Sequence, residues 1–186
     1  MILAITNTGI KLPPLLIVKT PSCKNSYLDS LFEEYLLLRQ TSSEFINEFV
    51  LKYYMERIIL HLSIPEDEQL YLVMDRYRVH TKASIQQLLK TSQLPFTLIL
   101  AGGTAFVQPL DVFLNKPLKD GIRVYFKEWF REYGQQEENI TDSGYIRLPH
   151  RDLLAKWVLE AWNDLDKDLV IKSFKGCGKI CVFFYD

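Results

Sequence analysis

Read as a pattern of apolar and polar positions, the chain opens with two short aliphatic runs, Met1 to Thr6 and Leu15 to Lys19, separated by Asn7-Thr8-Gly9 and Lys11-Leu12-Pro13-Pro14. Short runs of this kind around turn residues predict two antiparallel strands, a hairpin. Leu28 to Arg39 is apolar and acidic at helical spacing, and nothing upstream decides whether it packs or bridges. The capping-box pattern Thr41-Ser42-Ser43-Glu44 then opens a segment to Leu62 in which Ile46, Val50, Tyr53, Ile58 and Leu62 recur at helical steps. A long amphipathic helix is predicted there.

Leu70 to Met74 is a nearly all-apolar run ending at Asp75, as expected of a strand buried on both faces of an α/β sheet. Thr81 to Ser92 carries Ile85, Leu88 and Leu89 on one helical face, and Pro95 to Ala101 predicts a second buried strand. Strand, helix, strand implies a right-handed crossover between parallel strands, which brings both carboxyl ends to one edge of the sheet. After Gly102-Gly103-Thr104 and Pro109, a helix is predicted from Asp111 to Tyr133, with Pro117 and Gly121 as weak points. Leu118, Ile122, Phe126, Trp129 and Tyr133 form its core stripe. Lys116, Lys119, Arg123, Lys127 and Arg131 form an adjacent basic stripe about 120° wide, interrupted by Asp120. A polar loop from Gly134 to Gly144 precedes two more helices, His150 to Asn163 and Asp166 to Lys175. Trp129, Trp157 and Trp162 fall at apolar helical spacing and are expected in the core.

Composition changes this picture little. The 186 residues suit one domain, and 48% hydrophobic with 24% charged residues is an ordinary globular balance. A net charge of -1 gives no global reason to bind nucleic acid, so any such binding must come from a local basic surface. Cys23, Cys177 and Cys181 show no paired spacing and are expected as free thiols in a reducing compartment. The apolar runs are far shorter than the ~20 residues a membrane helix requires, and the start reads as a strand, not a signal peptide.

Two carboxylates stand out by placement: Asp75 at the end of a buried strand, and Asp111 just after a glycine-rich turn and Pro109. Hard divalent ions take oxygen ligands, so acids at neighbouring strand and helix ends are the apt residue type for two-metal phosphoryl transfer. Spacing alone leaves open that Asp75 only ends a strand and Asp111 only caps a helix.

Longer stretches carry more. Leu72-Val73-Met74-Asp75-Arg76-Tyr77-Arg78-Val79-His80, then Gln108-Pro109-Leu110-Asp111 with Asn115-Lys116-Pro117-Leu118-Lys119, resembles the DDE superfamily endonuclease domain of pogo and Tigger-like transposases. Thr6 to Lys19 resembles the hairpin after that family's first catalytic strand, and Leu169 to Gly178 its closing helix. The resemblance implies an α/β, RNase H-like mixed sheet flanked by helices, lacking the first, central strand, with a C-terminal helical extension. It implies one partial catalytic domain over residues 1–178 and a divergent tail over 179–186.

By the same resemblance Asp75 matches the second catalytic Asp and Asp111 the third, each a ligand for Mg²⁺ or Mn²⁺, while the first has no counterpart here. Loss of a central strand exposes backbone edges and predicts either poor stability or strand borrowing from another molecule, a route to a homo-oligomer. Arg76, Arg78, His80, Lys116, Lys119, Arg123 and Lys127 are the candidate DNA contacts. For each a plainer role stays open: ion pairing for the arginines, a buried helix start for His80, a solvated helix face for the stripe. The implied function is DNA binding with an ancestral Mg²⁺-dependent strand cleavage and transfer, a weakly held ion, and no activity in this chain. The alternative is a non-catalytic DNA-binding or protein-interaction module. Nuclear location is implied by the resemblance only.

Overall fold

The computed structural model describes residues 1–19, 37–41, 46–62, 70–134, 136–178 and 182–185. Residues 28–36, Cys23 and Cys181, for which expectations were stated above, lie outside the described residues. The strands are β1 (Leu3–Ile5), β2 (Leu15–Lys19), β3 (Leu37–Thr41), β4 (Leu72–Met74), β5 (Phe96–Leu98) and β6 (Val182–Tyr185). The helices are α1 (Glu48–His61), α2 (Ala83–Thr91), α3 (Thr104–Val107), α4 (Asn115–Trp129), α5 (Arg151–Asn163) and α6 (Lys167–Gly176). The architecture is the α/β, RNase H-like mixed sheet flanked by helices.

Four strands form the main sheet in the order β1-β6-β4-β5. β4 runs parallel to β5, Met74 opposite Leu98, as the strand-helix-strand pattern predicts. On its other edge β4 runs parallel to β6, Met74 opposite Phe184, and β6 pairs antiparallel with β1, Ala4 opposite Phe184. The segment read from sequence as a divergent tail thus supplies the strand between β1 and β4. An edge that would otherwise carry unpaired N–H and C=O groups is closed from within the chain.

Period-2 alternation sends the strand side chains into two layers. Ile2, Ala4, Leu72 and Met74 enter a cluster with Val50, Leu51, Tyr54 and Met55 of α1 and Ile85 and Leu89 of α2. Leu3, Ile5 and Val73 enter the opposite cluster with Leu110, Leu114, Leu118, Ala161, Trp162, Val170 and Phe174. Residues 11–15 tie the layers together: the Tyr54 hydroxyl donates to Pro13 O at 2.9 Å, and Trp162 Nε1 donates to Leu12 O at 3.0 Å. Complete burial pushes the Tyr54 hydroxyl above the ordinary phenol value, so it stays a donor. The Lys11 ammonium caps the carboxyl end of α5, donating to Trp162 O, Asn163 O and Leu165 O at 2.8, 2.7 and 2.5 Å.

Several sequence expectations are corrected. The hairpin's antiparallel contacts exist, Ile2 N to Leu15 O at 2.8 Å and the reverse at 2.9 Å. Beyond them, however, β2 pairs parallel with β3 in a separate two-stranded sheet. Thr41 belongs to β3, so α1 starts later: Asn47 Oδ1 accepts from Val50 N at 2.9 Å and caps the helix. The helix expected from Asp111 runs on without a break at Pro117. A π-turn, Leu110–Leu114, leads directly into α4. Pro117 lacks an N–H and crowds the carbonyl four residues back, and the widened turn before it absorbs both defects. Gly121 is a packing contact: a Cβ there would lie 3.1 Å from Ala161 Cβ of α5. Trp157 and Trp162 are buried, but Trp129 is only half-buried and the stripe's far end, Phe126 and Tyr133, is exposed.

A chain ending at Gly178 is expected to lose its cooperative calorimetric unfolding transition and to bind an apolar dye, because β1 and β4 are left with unpaired facing edges. A truncated chain with an unchanged transition contradicts the central place of β6.

Candidate functional site

Parallel pairing of β4 with β5 and β6 fixes which end of the sheet can carry chemistry. Asp75 follows Met74 immediately, and the ladder continues one step past the strands, with Ile99 N donating to Met74 O at 2.7 Å. Asp75 therefore stands at the carboxyl-end rim, its side chain 16% exposed. Behind it the chain turns back under the sheet: His80 N donates to Tyr77 O at 2.9 Å and Lys82 N to Val79 O at 3.1 Å. That turn buries Val79 and His80 and leaves Arg76 and Arg78 exposed.

His80 is fully buried at 0% exposure, which removes it from the surface a nucleic acid could touch and corrects the expectation that it contacts DNA. Its ring faces Asp75: Nδ1 lies 2.6 Å from Asp75 Oδ1 and 3.1 Å from Asp75 O. The Tyr77 ring packs edge-on against it at 6.0 Å. Tyr77 N makes a long contact of 3.4 Å to the same carboxylate oxygen. Among the described residues Asp75 Oδ2 has no hydrogen-bond partner, so one carboxylate oxygen is held and the other is available.

Asp111 sits in the first turn of the π-segment, after Leu110, which is fully buried in the cluster that also contains Val73 and Ile99. The shared cluster links the segment bearing Asp111 to the strands whose ends form the rim. Asn115, 8% exposed, donates from Nδ2 to Asp111 Oδ1 at 3.0 Å, an i, i+4 pair that orients the carboxylate. Leu100 and Phe106, on the stretch between β5 and Asp111, are 75% and 77% exposed.

The basic stripe lies on α4, the helix that the Asp111 turn feeds. Lys116, Lys119, Arg123 and Lys127 are all exposed, as the 100° spacing predicts. Two of them share a partner: Lys116 Nζ lies 3.2 Å from Asp120 Oδ2 and Arg123 Nη1 2.7 Å from Asp120 Oδ1. Hydrogen bonds from both hold the Asp120 carboxyl below its ordinary value. Exposed pairs of this kind are weak and open to exchange for a phosphate. Lys119, Lys127, Arg76 and Arg78 form no ion pair among the described residues.

The donor chemistry fits a hard divalent ion in part. Asp75 and Asp111 offer oxygen donors only, the ligand type Mg²⁺ and Mn²⁺ take. No group of three or more His, Cys, Asp or Glu side chains able to hold a metal is found among the described residues. Sequence reasoning singled out both acids but missed their hydrogen-bond partners, His80 and Asn115. Asn115 was findable from its i, i+4 spacing to Asp111, whereas the contact of His80 with Asp75 depends on a turn with no periodic signature.

The family model described as DDE superfamily endonuclease matches residues 1–174. A human protein named "Pogo transposable element with KRAB domain" is 26% identical over 106 residues, which are 57% of this chain and 17% of that protein. Its mouse counterpart of the same name is 24% identical over 106 residues, with the same 57% and 17% shares. The chain thus matches a small fraction of the length of these curated relatives.

Replacing Asn115 by Ala removes the donor that orients Asp111 and is expected to lower stability by about 1–3 kcal/mol. Urea denaturation checks this, and an unchanged midpoint contradicts the role of Asn115.

Proposed function

Because this chain belongs to the DDE superfamily endonuclease family, we propose that it is a transposase-derived DNA-binding domain that keeps two metal-ligating acids, Asp75 and Asp111, and does not cut DNA by itself. The observation that carries the reading is the continuity of the Asp111 turn, Leu110–Leu114, with α4, Asn115–Trp129. One continuous helical segment carries an acid in its first turn and a row of exposed cations beyond it. From Asp111 to Lys127 the rise is about 24 Å at 1.5 Å per residue, a span over which several phosphates of a duplex pass.

Domains of this family typically use divalent metal ions. In the proposed site Asp75 and Asp111 would hold Mg²⁺ or Mn²⁺, which when bound supplies electrostatic stabilisation of charge on a phosphate. The remaining residues position and bind: Asn115 orients Asp111, and Lys119, Arg123 and Lys127 pair with phosphate oxygens. Arg76 and Arg78, exposed just past Asp75, would extend that contact to the rim. Phosphoryl transfer relies on tightly positioned charge, and the described residues form no group of three acids able to hold a metal, which favours binding without turnover. Among the described residues no helix is long and apolar enough to cross a membrane. Acting on DNA goes with a nuclear site of action in this proposal.

A second reading, a protein-interaction module, is favoured by the exposed Tyr145 and Leu148, 75% and 83% accessible. The two readings separate on salt. In the DNA-binding reading, filter retention of duplex DNA falls with salt, and replacing Lys119, Arg123 and Lys127 by Gln lowers the log–log slope by about 1 per residue. Retention untouched by these changes overturns it. In the same assay with Mg²⁺, no strand cleavage is expected, and metal-dependent cleavage abolished by Asp75→Asn refutes the non-cutting part.

A further inference from the structure

We infer that His80 is a positioning residue for Asp75, a buried imidazole whose Nδ1–H fixes one carboxylate oxygen and leaves the other directed to a divalent cation. The inference rests on the proposed two-carboxylate site and adds a residue to it.

The geometry is one-sided. Nδ1 faces two acceptors, Asp75 Oδ1 at 2.6 Å and Asp75 O at 3.1 Å, so that nitrogen carries the hydrogen and donates. Nε2 is buried without a hydrogen-bond partner among the described residues. A hydrogen on Nε2 would have no acceptor there, whereas a bare Nε2 loses less by burial. The neutral ring is therefore the Nδ1–H tautomer. Its orientation is set from three sides: the His80 amide binds Tyr77 O at 2.9 Å, the Tyr77 ring packs edge-on, and the side chain is fully enclosed.

A histidine enclosed this way is not a surface contact. Because Asp75 Oδ1 accepts from Nδ1 at 2.6 Å, rotation of the carboxylate away would leave the buried donor only the longer contact to Asp75 O at 3.1 Å. Loss of the shorter contact favours the rotamer in which Oδ1 is held and Oδ2 keeps no partner among the described residues, the way outer partners raise the affinity of a metal-ligating carboxylate. Asn at position 80 can place an amide N–H near the Nδ1 position, whereas Leu fills similar space with no donor.

Two measurements test this. Long-range ¹H–¹⁵N correlation spectra of the full chain are expected to show His80 as the Nδ1–H tautomer. An Nε2–H tautomer overturns the inference while leaving the two-carboxylate reading intact. Titration with Mn²⁺ followed by electron paramagnetic resonance is expected to show binding weakened about tenfold in His80→Leu and restored in His80→Asn. Thermal unfolding of each variant identifies a folded sample. A folded His80→Leu chain that binds Mn²⁺ as well as the parent overturns the positioning role. A parent chain with the Nδ1–H tautomer but no Mn²⁺ binding overturns the two-carboxylate reading, and the role built on it.

Discussion

β4 is hydrogen-bonded along both edges, to β5 and to β6, and its three side chains are buried on both faces. A strand held on all four sides cannot slide or rotate without breaking a ladder or opening a cavity, so the residue that follows it inherits a fixed position. Asp75 is that residue. Its carboxylate is placed by the sheet, and the turn behind it then brings His80 against one of its oxygens. The order of causes runs from an apolar run, to a doubly paired strand, to an acid at a rim.

The second acid depends on the same core by another route. Leu110 and Leu114 bury themselves beside Val73, Leu3 and Ile5, so the π-segment is anchored to the sheet's lower layer while Asp111 stays half-buried. The widened π geometry accommodates Pro117 without a break. Helix α4 therefore continues stiffly outward with Lys119, Arg123 and Lys127 on its open side. With a net charge of only -1, this local row of cations gives the molecule a directional basic face that bulk charge hides.

What the sequence made legible was local. The nearly all-apolar run before Asp75, the helix through Ile85 and Leu89, and the run from Pro95 each declare themselves by period and composition, and they position Asp75 directly. The 100° spacing of the lysines was equally readable. What it hid was pairing between distant segments. Thr41 to Glu44 reads locally as a helix start, yet Thr41 is drawn into β3 by its partner β2. The run ending at Tyr185 looked like a tail because nothing near it in the chain marks it as the strand between β1 and β4. The burial of His80 likewise follows from a turn and the layer it packs on, which no single-chain periodicity encodes. Strand partnership is a tertiary property, and local pattern yields to it.

The central proposal is that Asp75 and Asp111 serve one divalent cation at one rim of the sheet. Residue-resolved paramagnetic broadening by Mn²⁺ in the amide spectrum tests it most directly. The account predicts that signals from residues 75–77 and from residues 110–112 vanish together at the same low Mn²⁺ concentration. Broadening confined to one of the two segments, or appearing first elsewhere on the surface, would contradict it.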